Sequence, residues 1–188
     1  MKREHLRLID SLSKELAEGN LAVFAGAGLS RSAGFVDWKS LLKPIADDLD
    51  LDVEREWDLV TLAQYHANAN ATNRSKLNQI LVTEFSLSVA PTENHEILTR
   101  LPIQTYWTTN YDKLIENALE RNGKVPDVKY TNKQLATTRP KRDAVVYKMH
   151  GDVDHSSEAV LIRDDYERYH VKMQPFITAL SGDLIAKT

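Results

Sequence analysis

A chain of 188 residues is long enough for one domain with a full hydrophobic core and short for two. Its 42% apolar and 27% charged content is ordinary for a globular protein, and a net charge of −3 gives no electrostatic reason to expect a nucleic-acid or anionic-membrane partner. The complete lack of cysteine excludes disulfides, thiolate nucleophiles and any zinc site built on cysteine pairs.

The start, Met1-Lys2-Arg3-Glu4-His5, is charged and is not followed by the apolar stretch of a signal peptide. No segment approaches the roughly 18 apolar residues that span a bilayer, so a cytoplasmic location is expected. Leu6, Ile9, Leu12 and Leu16, three and four residues apart, predict an amphipathic helix over 4–18, stopped at Gly19-Asn20. Leu21–Ala25 is wholly apolar and reads as a strand buried on both faces. Gly26-Ala27-Gly28-Leu29-Ser30 follows it directly. Strand, glycine turn and helix start is the order found where a backbone cradles phosphate.

From 38 to 85 the pattern is helical. Leu41, Leu42, Ile45 and Leu49 form one face, Leu59, Leu62 and Ala63 begin another, and Leu77, Ile80, Leu81 and Phe85 make a third. The polar Asn68–Asn73 reads as a turn. This block is expected to be a helical insertion at roughly 38–90, of the kind that covers a ligand. After Pro91 come a short helix around His95–Leu98, a strand at Gln104–Thr108 and a helix from Lys113 to Arg121. A weaker strand at Val128–Tyr130 and a stronger one at Ala144–Met149 follow. Ala159–Ile162 reads as one more short strand, ahead of helices near Asp164–His170 and Pro175–Ile185.

The whole predicts an α/β fold, a Rossmann-like open parallel sheet flanked by helices, within one domain over 1–188. The loops Gly26–Gly34, Asn110–Asp112 and His150–Asp152 each follow a strand. Strand C-termini share one edge of a parallel sheet, so three distant segments are expected to meet there.

Each loop carries candidate chemistry beside a plainer role. The glycines let a backbone approach pyrophosphate or merely turn the chain, and Ser30 caps a helix or donates to phosphate. His150 takes a proton near neutral pH or is an ordinary loop residue, and Asp152 orients its ring or caps the next turn. Asn110 offers a donor and an acceptor in one plane, for a ribose hydroxyl, a water or simply the turn. Asp112 touches ligand or opens the next helix.

Taken in order, these loops resemble the sirtuin family. Gly26-Ala27-Gly28-Leu29-Ser30 with Gly34-Phe35-Val36-Asp37-Trp38 is similar to its first signature. Thr108-Thr109-Asn110-Tyr111-Asp112 is similar to its second, and Lys148-Met149-His150-Gly151-Asp152 to its third. The resemblance covers roughly residues 18–170. It implies that Asn110 and His150 are a catalytic pair acting on NAD. It further implies that Gly26, Ala27, Gly28, Ser30 and Asp37 line the dinucleotide site, with Asp112 near the nicotinamide end.

Departures from the family refine this. The four-cysteine zinc module of protein-deacylating members is replaced by the short polar Val153–Glu158, so no zinc is expected, and Thr109 stands where those members carry glutamine. Tyr111 and Arg163-Asp164-Asp165-Tyr166 resemble the bacterial antiphage-defence group, whose domain hydrolyses NAD once infection is sensed. That resemblance implies an NAD glycohydrolase, with nicotinamide leaving through an oxocarbenium-like state and water as acceptor. A module that senses NAD or ADP-ribose without turnover is the alternative, and a protein deacylase is a third. Family members continue into a further strand after the Ile185–Thr188 region, which implies the N-terminal part of a longer protein. Control by homo-oligomer assembly, by a sensor or ATPase partner, or by a fused C-terminal domain is expected.

Overall fold

The computed structural model describes residues 3–188; Met1 and Lys2, the first residues of the charged start, lie outside the described residues. Helix α1 (Arg3–Glu18) leads into β1 (Ala22–Ala25) and the short α2 (Ala27–Arg31). The predicted helical block follows as α3 (Trp38–Asp48), α4 (Leu59–Ala69) and α5 (Ser75–Phe85). Asp37 and Asp58 cap α3 and α4 by accepting hydrogen bonds from the amides of Ser40 and Thr61. Then come α6 (Glu93–Arg100), β2 (Thr105–Thr108), α7 (Leu114–Arg121), β3 (Pro126–Lys129) and α8 (Asn132–Leu135). The order closes with β4 (Ala144–Lys148), α9 (Arg163–Glu167), α10 (Tyr169–Lys172) and α11 (Gln174–Ala186).

All four strands are parallel, in the order β1-β2-β4-β3. Alternation places Tyr106 with Ile115 and Leu119 of α7 on one face, while Trp107 packs with Phe176 of α11 on the other. Trp107 stacks on Tyr147 at 4.1 Å and donates its indole N–H to Asp183, fastening α11 to the sheet. The helical block has its own core, in which Leu42, Ile45, Leu62 and Leu81 pack against Tyr111, Val153 and Leu161.

The register fixes the site. Ala25 pairs with Thr108, and Thr108 with Lys148, so the last residues of three adjacent strands form one row. The loops that leave this row emerge side by side.

Two strand expectations are corrected. Among the described residues β1 is not buried on both faces: it pairs with β2 as its one strand neighbour, and Phe24 is 57% exposed. An apolar run reports hydrophobicity but not position in the strand order. Thr188 makes the two hydrogen bonds of a parallel bridge along this strand, its N–H to Asn20 and its carbonyl accepting from Ala22.

Ala159–Ile162 is not a strand, although all four residues are buried. It crosses beneath the helical block, where side chains take the place of a ladder. Asp165 accepts from the amides of Leu161 and Ile162, Tyr111 donates to the carbonyl of Val160, and Arg74 to that of Ala159.

Candidate functional site

One cleft at the C-terminal edge of the sheet brings together Ala27, Ser30, Asp37, Asn110, Asp112 and His150. The loop after β1, the loop after β2 and the loop after β4 thus contribute as the strand-end argument requires. The helical block supplies the apolar wall, with Trp38 and Leu41 from α3 and Phe85 from α5. Phe85 lies between Phe35 and Tyr111, at ring-centroid distances of 5.4 and 5.6 Å.

Asn110 is 8% exposed and is held by its own amide hydrogens. Nδ2 donates to the carbonyl of Gly26 at 3.1 Å and to Ser30 Oγ at 2.8 Å. A carbonyl only accepts, so this contact fixes which way the amide points. Both donors are consumed within the protein. Among the described residues Oδ1 has no protein donor, so the side chain presents an acceptor to the cleft. The sequence left donor and acceptor open; the fold selects the acceptor.

Ser30 continues the relay, donating its hydroxyl hydrogen to Asp112 Oδ2 at 2.6 Å. That hydrogen is therefore spent on Asp112 rather than offered to a phosphate. The other Asp112 oxygen accepts from the amide of Leu114 at 2.9 Å at the start of α7. Asp112 thus both lines the cleft and opens the next helix. Asp37 accepts from the Ser40 amide, which holds its carboxyl below the usual range, and it lies 3.9 Å from Arg31.

Gly26, the N-cap of α2, and Gly28, within α2, are outside the cleft's immediate lining. A Cβ at either would meet nothing within 4 Å, so internal packing does not demand glycine there. Gly151 differs. Its φ is +96°, and a Cβ would stand 3.1 Å from Ala159 Cα. Only glycine fits beside His150.

The His150 ring meets Tyr166 and Tyr169 edge-on, at 5.5 and 6.1 Å between centroids. Burial pushes its pKa down to about 4, so the imidazole is neutral at physiological pH and able to accept a proton. Asp152 does not orient this ring. Its oxygens accept from the amide of Asp154 and from Lys148, which settles the alternatives in favour of the cap.

Sequence reading missed Phe85 and the roles of Lys148 and Tyr169. Lys148 stood inside a quoted motif, but nothing local marks a lysine as buried. For Tyr166 the Arg163–Tyr166 segment was a signal without a mechanism. Here Asp165 pairs with Arg74 at 3.0 Å and Tyr166 flanks the histidine.

Residues 104–188 match the SIR2-like domain family. The chain is 65% identical over 180 residues to the NAD(+) hydrolase ThsA of Bacillus cereus (strain MSX-D12), covering 96% of this chain and 38% of that protein. To the NAD(+) hydrolase ThsA of Acinetobacter baumannii (strain 532279) it is 51% identical over 187 residues, 100% of this chain and 39% of the relative. The protein of the same name from Cytobacillus dafuensis is 55% identical over 181 residues, 96% and 36% of the two chains. The chain spans less than two fifths of the length of these relatives.

Proposed function

We propose that the chain is a SIR2-like domain and that the protein it belongs to is an NAD glycohydrolase that cleaves the nicotinamide–ribose bond. One observation carries the reading. A fixed carbonyl acceptor on Asn110 and a neutral histidine face one cleft at the strand ends, in a chain closely similar to proteins named NAD(+) hydrolase.

In this reading Asn110 Oδ1 accepts a hydrogen bond from a ribose hydroxyl or from the attacking water. His150 takes the proton released when that water adds to the anomeric carbon. Ser30 and Asp112 act behind Asn110 by holding its amide. Ala27 and Asp37 border the dinucleotide, and the bare backbone at Gly26 and Gly28 leaves room for its pyrophosphate. Phe35, Trp38 and Phe85 give the cleft its apolar wall.

The proposal extends to setting. The protein works in the cytoplasm, depletes NAD as an antiphage effector, and is controlled by self-assembly, by a partner or by the rest of its own chain. No helix among the described residues is long and apolar enough to cross a membrane.

The test is product analysis with the full-length protein. NAD incubated without any peptide should yield equal amounts of nicotinamide and ADP-ribose, and an acetylated peptide should change neither rate nor products. Consumption only in the presence of the peptide would refute hydrolysis and indicate deacylation. Binding without consumption would indicate a sensor.

A further inference from the structure

Lys148, the last residue of β4, has a fully buried side chain in the middle of the sheet. Its ammonium reaches four acceptors on three segments. Nζ donates to the carbonyl of Tyr111 at 3.1 Å and to that of Asp112 at 2.6 Å. It also meets Asp152 Oδ2 at 2.5 Å and Glu116 Oε1 at 3.0 Å. Burial opposes the charge, but the two carboxylates outweigh it and lift the lysine's pKa above its ordinary value, so it stays cationic.

A lysine placed only to neutralise two acids has no use for backbone carbonyls in the neighbouring loop. This one grips that loop at Tyr111 and Asp112, directly after Asn110. Asp112 in turn holds Ser30, and Ser30 holds Asn110. Through Asp152 the same ammonium grips the other loop, two residues beyond His150. The hydroxyl-and-amide relay and the histidine loop are thereby tied to one atom.

We propose that Lys148 is a positioning residue that locks the Asn110–Asp112 loop to the His150–Asp152 loop and so sets the distance between the two groups that act on the substrate. The proposal rests on the hydrolase reading for its kinetic consequence, though not for its structural one. A misplacement of about 1 Å in such a pair costs roughly a hundredfold in rate.

Replacing Lys148 alone leaves two buried carboxylates without a cation, which endangers folding. Lys148→Met combined with Glu116→Gln keeps the cluster at a net charge of −1, because one cation and one anion are removed together from a set of one and two. The ammonium tether is nevertheless lost. Glu116→Gln alone retains Lys148 and serves as the reference. All forms are compared as full-length protein, by melting temperature, NAD turnover, and amide hydrogen exchange over 109–115.

The double variant is expected to stay folded, to exchange at 109–115 at least tenfold faster than the reference, and to lose about a hundredfold in kcat with KM changed less than threefold. A folded double variant with kcat within threefold of the reference and unchanged exchange would overturn the proposal. If the parent itself turns over no NAD, the hydrolase reading fails on its own, and the exchange measurement still decides the tether. If the double variant fails to fold, single Lys148→Arg replaces it. That change keeps the charge but cannot place one atom at all four acceptors, and unchanged exchange there would also overturn the proposal.

Discussion

Asn110→Asp changes one NH2 group into an oxygen at a position where the structure offers only acceptors or spent donors. Two hydrogen bonds are lost, to the Gly26 carbonyl and to Ser30 Oγ, each worth about 1 kcal/mol net. The Gly26 carbonyl keeps the Leu29 N–H at 3.0 Å but then faces an oxygen, so the contact turns from attractive to repulsive. Ser30 cannot repair the defect without withdrawing its hydrogen from Asp112. The two lost bonds alone total about 2 kcal/mol at pH 8, a sizeable share of the stability of an ordinary domain.

The penalty depends on pH, and its sign follows from the site. Burial, the Gly26 carbonyl and the nearby Asp112 all disfavour a second carboxylate, so the substituted group's folded pKa lies above its unfolded value of about 3.9. A group with a raised folded pKa contributes most below its unfolded pKa and loses that contribution as pH rises through the folded value. Protonated, it again has a hydrogen to give to Gly26 or Ser30. Urea unfolding of parent and variant at pH 5 and pH 8 is the assay, read as the difference between the two proteins at each pH. The variant should recover at least 1 kcal/mol relative to the parent at pH 5. An equal penalty at both pH values, or one below 1 kcal/mol at pH 8, would refute the assigned orientation of the Asn110 amide.

Three further outcomes follow from the histidine loop. Because burial holds the His150 pKa at about 4, the acid limb of kcat/KM should fall near pH 4, with activity flat from about pH 5.5 upward until another group titrates. A limb at the ordinary histidine value of 6.5 in a pH–rate series would contradict the buried, neutral imidazole. The same shift makes the folded state lose stability as pH falls from 6.5 through about 4, since the unfolded chain binds the proton first. Gly151→Ala forces φ +96° on an alanine and drives its Cβ against Ala159 Cα. It should cost about 1–3 kcal/mol, with a larger loss of kcat than of melting temperature, because the Val160 amide bond to the His150 carbonyl at 2.9 Å is displaced with it. A parent-like kcat and melting temperature would show that this contact does not set the ring.

The sequence was informative wherever local pattern decides the outcome. Apolar runs ending in polar loops identified three of the strand ends, and parallel pairing makes those ends neighbours whatever the order of the strands. The row Ala25, Thr108, Lys148 is the structural counterpart of that inference. An apolar run does not say what covers each of its faces, so the exposure of Phe24 was not legible. Ala159–Ile162 carried a strand's composition, but its hydrogen-bond partners lie on Tyr111, Arg74 and Asp165, which no local window contains. The Ser30–Asp112 bond joins residues 82 positions apart, and Lys148 looks like any surface lysine until four acceptors converge on it. Motif resemblance singled out Asn110 and His150; only the fold shows that Asn110 offers an acceptor and that Asp152 serves Lys148 rather than His150.

The central claim is tested most directly by NAD turnover in the full-length protein beside Asn110→Ala and His150→Ala, with nicotinamide release as the readout. Steady turnover in the parent, with a loss of at least a hundredfold in each variant while both remain folded, is the predicted result. A folded His150→Ala or Asn110→Ala protein that hydrolyses NAD at the parent rate would contradict it.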